Sequence, residues 1–147
     1  MDDDLEADPD RVAMEQLIKV LTPLRQHRQA RAERAQRQLQ DELTVMQQQL
    51  LQTEQSWVQE RDNQKVRRQQ LSATHLAITM ELSDVDRWHD KERRMLDRLA
   101  YIRQNASQLR QAIKLQRQRI EQAQLEAKAR QRAVEKLACM SENLNEE

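Results

Sequence analysis

Stepping alternately by three and four residues from Val85, the chain reads Val85, Trp88, Glu92, Met95, Leu99, Ile102, Ala106, Leu109, Ile113, Gln116, Ile120, Ala123, Ala127, Arg130, Val134, Leu137, Ser141 and Leu144. Fourteen of these eighteen positions are apolar. A repeat averaging 3.5 residues keeps a narrow stripe on one side of an α-helix, and only a partner helix packed along that side can cover it. A helix lying on a globular core usually adds a third apolar position per heptad, which is missing here. The spacing therefore predicts a coiled coil.

The first half offers the partner. Met14, Ile18, Leu21, Arg25, Arg28, Ala32, Ala35 and Leu39 keep the three-four step, and Leu43, Met46, Leu50, Thr53 and Trp57 continue it. Two four-residue steps in a row, Ala35 to Leu39 to Leu43, read as a stutter that unwinds the supercoil locally. The expected class is all-α: two long helices, residues 12–71 and 85–144, forming an antiparallel coiled-coil hairpin about a turn region at 72–84 centred near residue 79. A continuous helix pairing between chains is the competing arrangement. Pro23 opposes an unbroken first helix, because it lacks an N–H and clashes with the preceding turn. Either the helix kinks there, or it restarts with Thr22 as N-cap and Pro23 at the first helical position. Ser83 followed by Asp86 resembles a capping box opening the second helix. Acidic tails flank the pair: 1–11, with Asp2, Asp3, Asp4, Glu6, Asp8 and Asp10, and 145–147, after Glu142, with Glu146 and Glu147.

Composition supports helices. The 147 residues include no Gly, no Phe and only Pro9 and Pro23, while 34% are charged. Strand-forming residues are scarce, and Gln, Arg, Leu, Ala and Glu lose little entropy in a helix. Disorder would suit so polar a chain, but the heptad argues against it. Such an acidic start is not a secretory signal, no apolar run is long enough to span a bilayer, and the single Cys139 fits a reducing compartment, so a cytoplasmic location is expected. No catalytic constellation, metal site or cofactor is expected. His27, His75 and His89 are far apart, Cys139 has no neighbouring His, and phosphate loops need glycine.

Net charge is zero, yet it is unevenly spread. Arg25, Arg28, Arg31, Arg34 and Arg37 recur at every third residue and wrap around the helix. In a hairpin they lie near Arg119, Lys128, Arg130 and Arg132, making the end away from the turn basic. Like charges massed on two facing helices destabilise them unless an acidic partner is present. Trp88 falls on the seam just after the turn, where it can seal the tip or anchor a partner. Trp57 reads as packing and Tyr101 as exposed.

The length, the two long helices, the Arg87-Trp88 pair after the turn and the segment Ala129 to Leu137 resemble the FliJ, YscO and HrpO group, the central stalk proteins of flagellar and virulence type III secretion ATPases. The resemblance implies a non-enzymatic stalk, cytoplasmic and peripheral to the inner-membrane secretion apparatus. Its paired termini would enter the pore of a hexameric export ATPase, its tip would reach the export gate protein, and it would have a further role in handling secretion chaperones. Arg25, Arg28, Arg31, Arg34, Arg130 and Arg132 would face the ATPase, and Trp88, Met95 and Leu99 the gate. Two other classes share these features. A generic coiled-coil scaffold or tether needs only the seam, and nucleic-acid binding needs only the arginines, although zero net charge and acidic tails weigh against it.

Overall fold

A computed structural model describes residues 8–75 and 81–146. It contains two α-helices, α1 over Pro9–His75 and α2 over Leu82–Glu146, and no strand among the described residues. The N-terminus of α1 is set by its first residues. The Asp8 carboxylate accepts a hydrogen bond from the Asp10 N–H (3.1 Å) and its carbonyl one from Val12 (3.0 Å), while Pro9 fills the first helical position, where no N–H is needed. The helix thus starts inside the expected 1–11 tail and ends beyond the expected Leu71.

The second helix also starts early. The carbonyl of Glu81 accepts from the N–H groups of Asp84 and Val85, at 3.0 and 3.2 Å, so Glu81 takes the capping position expected for Ser83 and the turn is shorter than 72–84. Its centre near residue 79, and most of the expected acidic N-terminal tail, lie outside the described residues. Pro23 neither ends nor restarts α1. Thr22 is not an N-cap; its hydroxyl donates backwards to the Ile18 carbonyl at 2.7 Å, while the Lys19 carbonyl has no N–H at Pro23 to accept.

The chain forms two units, each an antiparallel pair of helix segments. One joins α1 up to Glu42 with α2 from Gln116 onward. There Arg25 donates to the Ala133 carbonyl at 3.0 Å, Arg11 to the Leu144 carbonyl, and Gln116 to the Leu39 carbonyl (2.9 Å) and the Glu42 carboxylate (3.1 Å). The other unit spans Leu43–Leu115. There Gln64 donates to the Met95 carbonyl at 2.7 Å, and Arg68–Glu92, Arg98–Glu60 and Arg110–Glu54 form ion pairs of 2.9 to 3.3 Å between the helices. In both units a rising number on α1 meets a falling number on α2, which is the hairpin order. Gln116 and Gln64, only 3% and 4% exposed, donate their side-chain N–H groups to main-chain carbonyls of the facing helix, so those donors are not orphaned in a thin core.

All eighteen expected seam positions of α2 are buried or half-buried. The first third of α1 differs from expectation. Arg11, Glu15, Ile18, Thr22, Arg25, Gln29, Ala32, Gln36 and Leu39 are covered, whereas Met14, Arg28 and Ala35 are exposed. The covered positions step by four and three without a break through Leu43, Met46, Leu50, Thr53, Trp57, Glu60 and Gln64, so the stutter does not exist. Following apolar residues alone had merged two neighbouring stripes, because the seam here is largely polar.

Candidate protein-binding surface

Residues 25–37 and 117–132 lie in the same unit and carry ten arginines and lysines against three carboxylates, Glu33, Glu121 and Glu126. Two of these carboxylates are engaged locally. Glu33 accepts from Gln29 at 3.0 Å, and Glu126 takes Arg130 at 2.8 Å one turn away. Arg25 turns inward onto the Ala133 carbonyl. Arg28, Arg31, Arg34 and Arg37 on α1 and Arg132 on α2 are exposed, and none of them is in an ion pair among the described residues.

The ATPase-facing candidates therefore divide. Arg25 and Arg130 are occupied within the chain, while Arg28, Arg31, Arg34 and Arg132 present free guanidinium groups. The basic zone is a band and not the extreme end. Within its unit it is followed toward the termini of the helices by Glu15 and Asp10 on α1 and by Glu135, Glu142 and Glu146 on α2. A band of unneutralised guanidinium groups draws polyanionic surfaces from beyond contact distance, since a Debye length at physiological salt is about 8 Å.

Trp88, Met95 and Leu99, read as gate-facing, are half-buried seam residues. The Trp88 ring packs edge-on to His89 with centroids 5.0 Å apart, and the Met95 carbonyl receives Gln64. These three side chains therefore belong first to the packing of their unit. Leu82, which the sequence reading passed over, is 82% exposed at the first turn of α2. No spacing rule singles it out, because it precedes the heptad. Trp57 is half-buried and stacks under the Arg61 guanidinium at 5.1 Å. Tyr101 and Cys139 are exposed.

A groove of about 650 Å³ runs between the helices of the second unit, lined by Gln49, Gln52, Thr53, Ser56, Asn105, Gln108, Leu109 and Ala112. It holds amides and hydroxyls but no titratable side chain, so it offers neither an acid–base pair nor an activated nucleophile. Among the described residues no cluster of His, Cys, Asp or Glu has metal-binding geometry, and no helix is long and apolar enough to cross a membrane. Comparison with protein-family models, with curated proteins and with solved structures returned no match.

Proposed function

We propose that this chain is a non-enzymatic helical stalk of the FliJ, YscO and HrpO type, binding a hexameric type III secretion export ATPase through its basic band and linking it to the export gate. The observation that carries this reading is the set Arg28, Arg31, Arg34 and Arg132, exposed and without carboxylate partners on a helical hairpin. Concentrating like charge in this way destabilises the free hairpin, and an acidic or polar ring lining would relieve it. The half-buried Trp88, Met95 and Leu99 would act at the gate by fixing the shape of their unit, with exposed neighbours such as Leu82 and Leu96 making the contact.

The test is ATP hydrolysis by the purified hexamer titrated with this chain, with Arg34→Glu/Arg132→Glu as the variant. A stalk that binds one ring conformation better than another stimulates turnover through differential affinity. The wild-type chain stimulates hydrolysis, more weakly as salt rises, and the folded double reversal does so at least about tenfold less effectively, equivalent to about 1.4 kcal/mol of binding. Equal stimulation by the reversal excludes the basic contact and favours the scaffold reading. Saturating, salt-sensitive binding to arbitrary RNA or DNA without any effect on the ATPase favours nucleic-acid binding.

A further inference from the structure

Beside the intramolecular seam, α1 carries a second stripe at the same heptad spacing: Asp10, Met14, Leu17, Leu21, Leu24 and Arg28. At about 100° per residue these positions lie on one face, turned by roughly a third of a circle from the seam. Met14, Leu17 and Leu24 are 40%, 53% and 42% exposed, and Val20 beside them is 68% exposed. Leu21 is half-buried at the border with the seam. Four large apolar side chains in heptad register thus form a second coiled-coil-type stripe, three of them left exposed by the described residues and Leu21 at its border half-covered.

The stripe reads as its own complement when reversed. Set antiparallel to itself about residue 19, it places Met14 against Leu24 and Leu17 against Leu21, and Asp10 against Arg28 at both ends. Each layer then joins an a-type position to a d-type position, as antiparallel knobs-into-holes packing requires. Asp10 and Arg28 are both exposed and, among the described residues, outside every ion pair. The parallel alternative would bring Asp10 onto Asp10 and Arg28 onto Arg28, so the end charges select the antiparallel order.

We propose that this stripe is a self-association surface, on which a second copy of the chain docks antiparallel through Met14, Leu17, Leu21 and Leu24, with reciprocal Asp10–Arg28 ion pairs closing both ends. The contact is isologous and closes on itself, giving a dimer and not a filament. It stands independently of the stalk reading, whose test spares both Asp10 and Arg28. Because Arg28 belongs to both surfaces, a partner seated on the basic band would compete with the second copy.

Sedimentation equilibrium of the full chain over about 5 to 500 μM, with circular dichroism of each variant, tests the proposal. The wild-type chain moves from 17.6 kDa toward twice that mass as concentration rises. Leu17→Glu stays monomeric with unchanged helicity, because Leu17 lies outside the intramolecular seam. Asp10→Arg and Arg28→Asp each weaken association at least about tenfold, and the double exchange Asp10→Arg/Arg28→Asp brings it back to within about threefold of wild type. A wild-type chain that remains monomeric throughout overturns the proposal and leaves the stripe to a different partner. A dimer indifferent to Leu17→Glu, or a double exchange as weak as its single components, overturns it equally.

Discussion

The two units share one heptad but use their charges differently. In the Leu43–Leu115 unit, three arginines cross to glutamates on the facing helix, and two of those glutamates, Glu60 and Glu92, hold positions in a seam otherwise mostly apolar. In the unit formed by the outer halves of the helices, no ion pair crosses between them among the described residues; arginine and glutamine instead reach main-chain carbonyls, and a group of arginines stays unpaired. Carbonyl acceptors are available in every turn, so such ties fix register without requiring carboxylates on the facing helix. The first unit can therefore keep a basic band and remain a hairpin. Arg28, Arg31, Arg34, Arg37 and Arg132 of the first unit stay outside every ion pair among the described residues, while Arg68, Arg98 and Arg110 of the second tie its two helices together.

The largest expected effects come from the shared seam. Ile113, in the second unit, is 5% exposed and Ile120, in the first, 8%. Either one replaced by Asp places an unpaired charge in a core two helices thick, with an expected loss of about 4 kcal/mol, enough to unfold a small domain. Thermal melting followed at 222 nm would detect it. Leu137 sits near a helix end, where fraying favours tolerance, yet it is only 3% exposed, so Leu137→Asp should be equally damaging. A mild effect there would show that the outer unit frays independently.

Pro23 provides an opposite sign within the outer unit alone. Pro23→Ala returns an N–H to face the Lys19 carbonyl and removes the ring clash, raising stability by about 2 to 3 kcal/mol. Hydrogen exchange of the amides around residue 23 should slow accordingly. No slowing would mean that the turn closed by the Thr22 hydroxyl already compensates for the proline.

Smaller and more specific effects attach to the buried glutamines. Gln116→Leu should leave stability within about 1 kcal/mol of wild type, because an apolar residue replaces an amide whose hydrogen bonds had to offset its burial. It should also relax register, which spin labels at Leu39 and Ile120 would report as a broadened distance distribution. Gln64→Leu makes the same test in the second unit, where flanking ion pairs also hold register, so a narrower distribution is expected there.

How much of this was legible depended on what occupied each seam. The α2 seam could be read through its full length because Ile, Leu, Val and Ala fill it, and a 3.5-residue apolar period has few other physical causes. The α1 seam between Arg11 and Gln36 could not, since arginine, glutamate, threonine and glutamine hold most of it. These side chains cover the core with their aliphatic stems while their heads reach carbonyls or water. The apolar residues that the reading followed instead, Met14 and Leu21, belong to the outward stripe. The helix starts differ for a local reason: Asp8 caps α1 where the sequence suggested only an acidic tail, and Glu81 supplies the contact expected of Ser83. For the candidate site, the arginine spacing was visible in sequence, but which guanidinium groups remain free depended on the positions of Ala133 and Glu126.

The central claim is that one set of arginines holds the fold and the other does not, and a paired melting experiment addresses it directly. Arg68, Arg98 and Arg110 are changed together to Gln in one protein, and Arg31, Arg34 and Arg37 in another, and both are melted at low salt beside wild type. Exposed pairs of this kind contribute about 0.2 to 1 kcal/mol each, so the first triple should lower Tm by roughly 3 to 6 °C. The second removes only repulsion and should leave Tm unchanged or up to about 2 °C higher. If the second triple lowers Tm as far as the first, those arginines stabilise the hairpin itself, and the division between the two units fails.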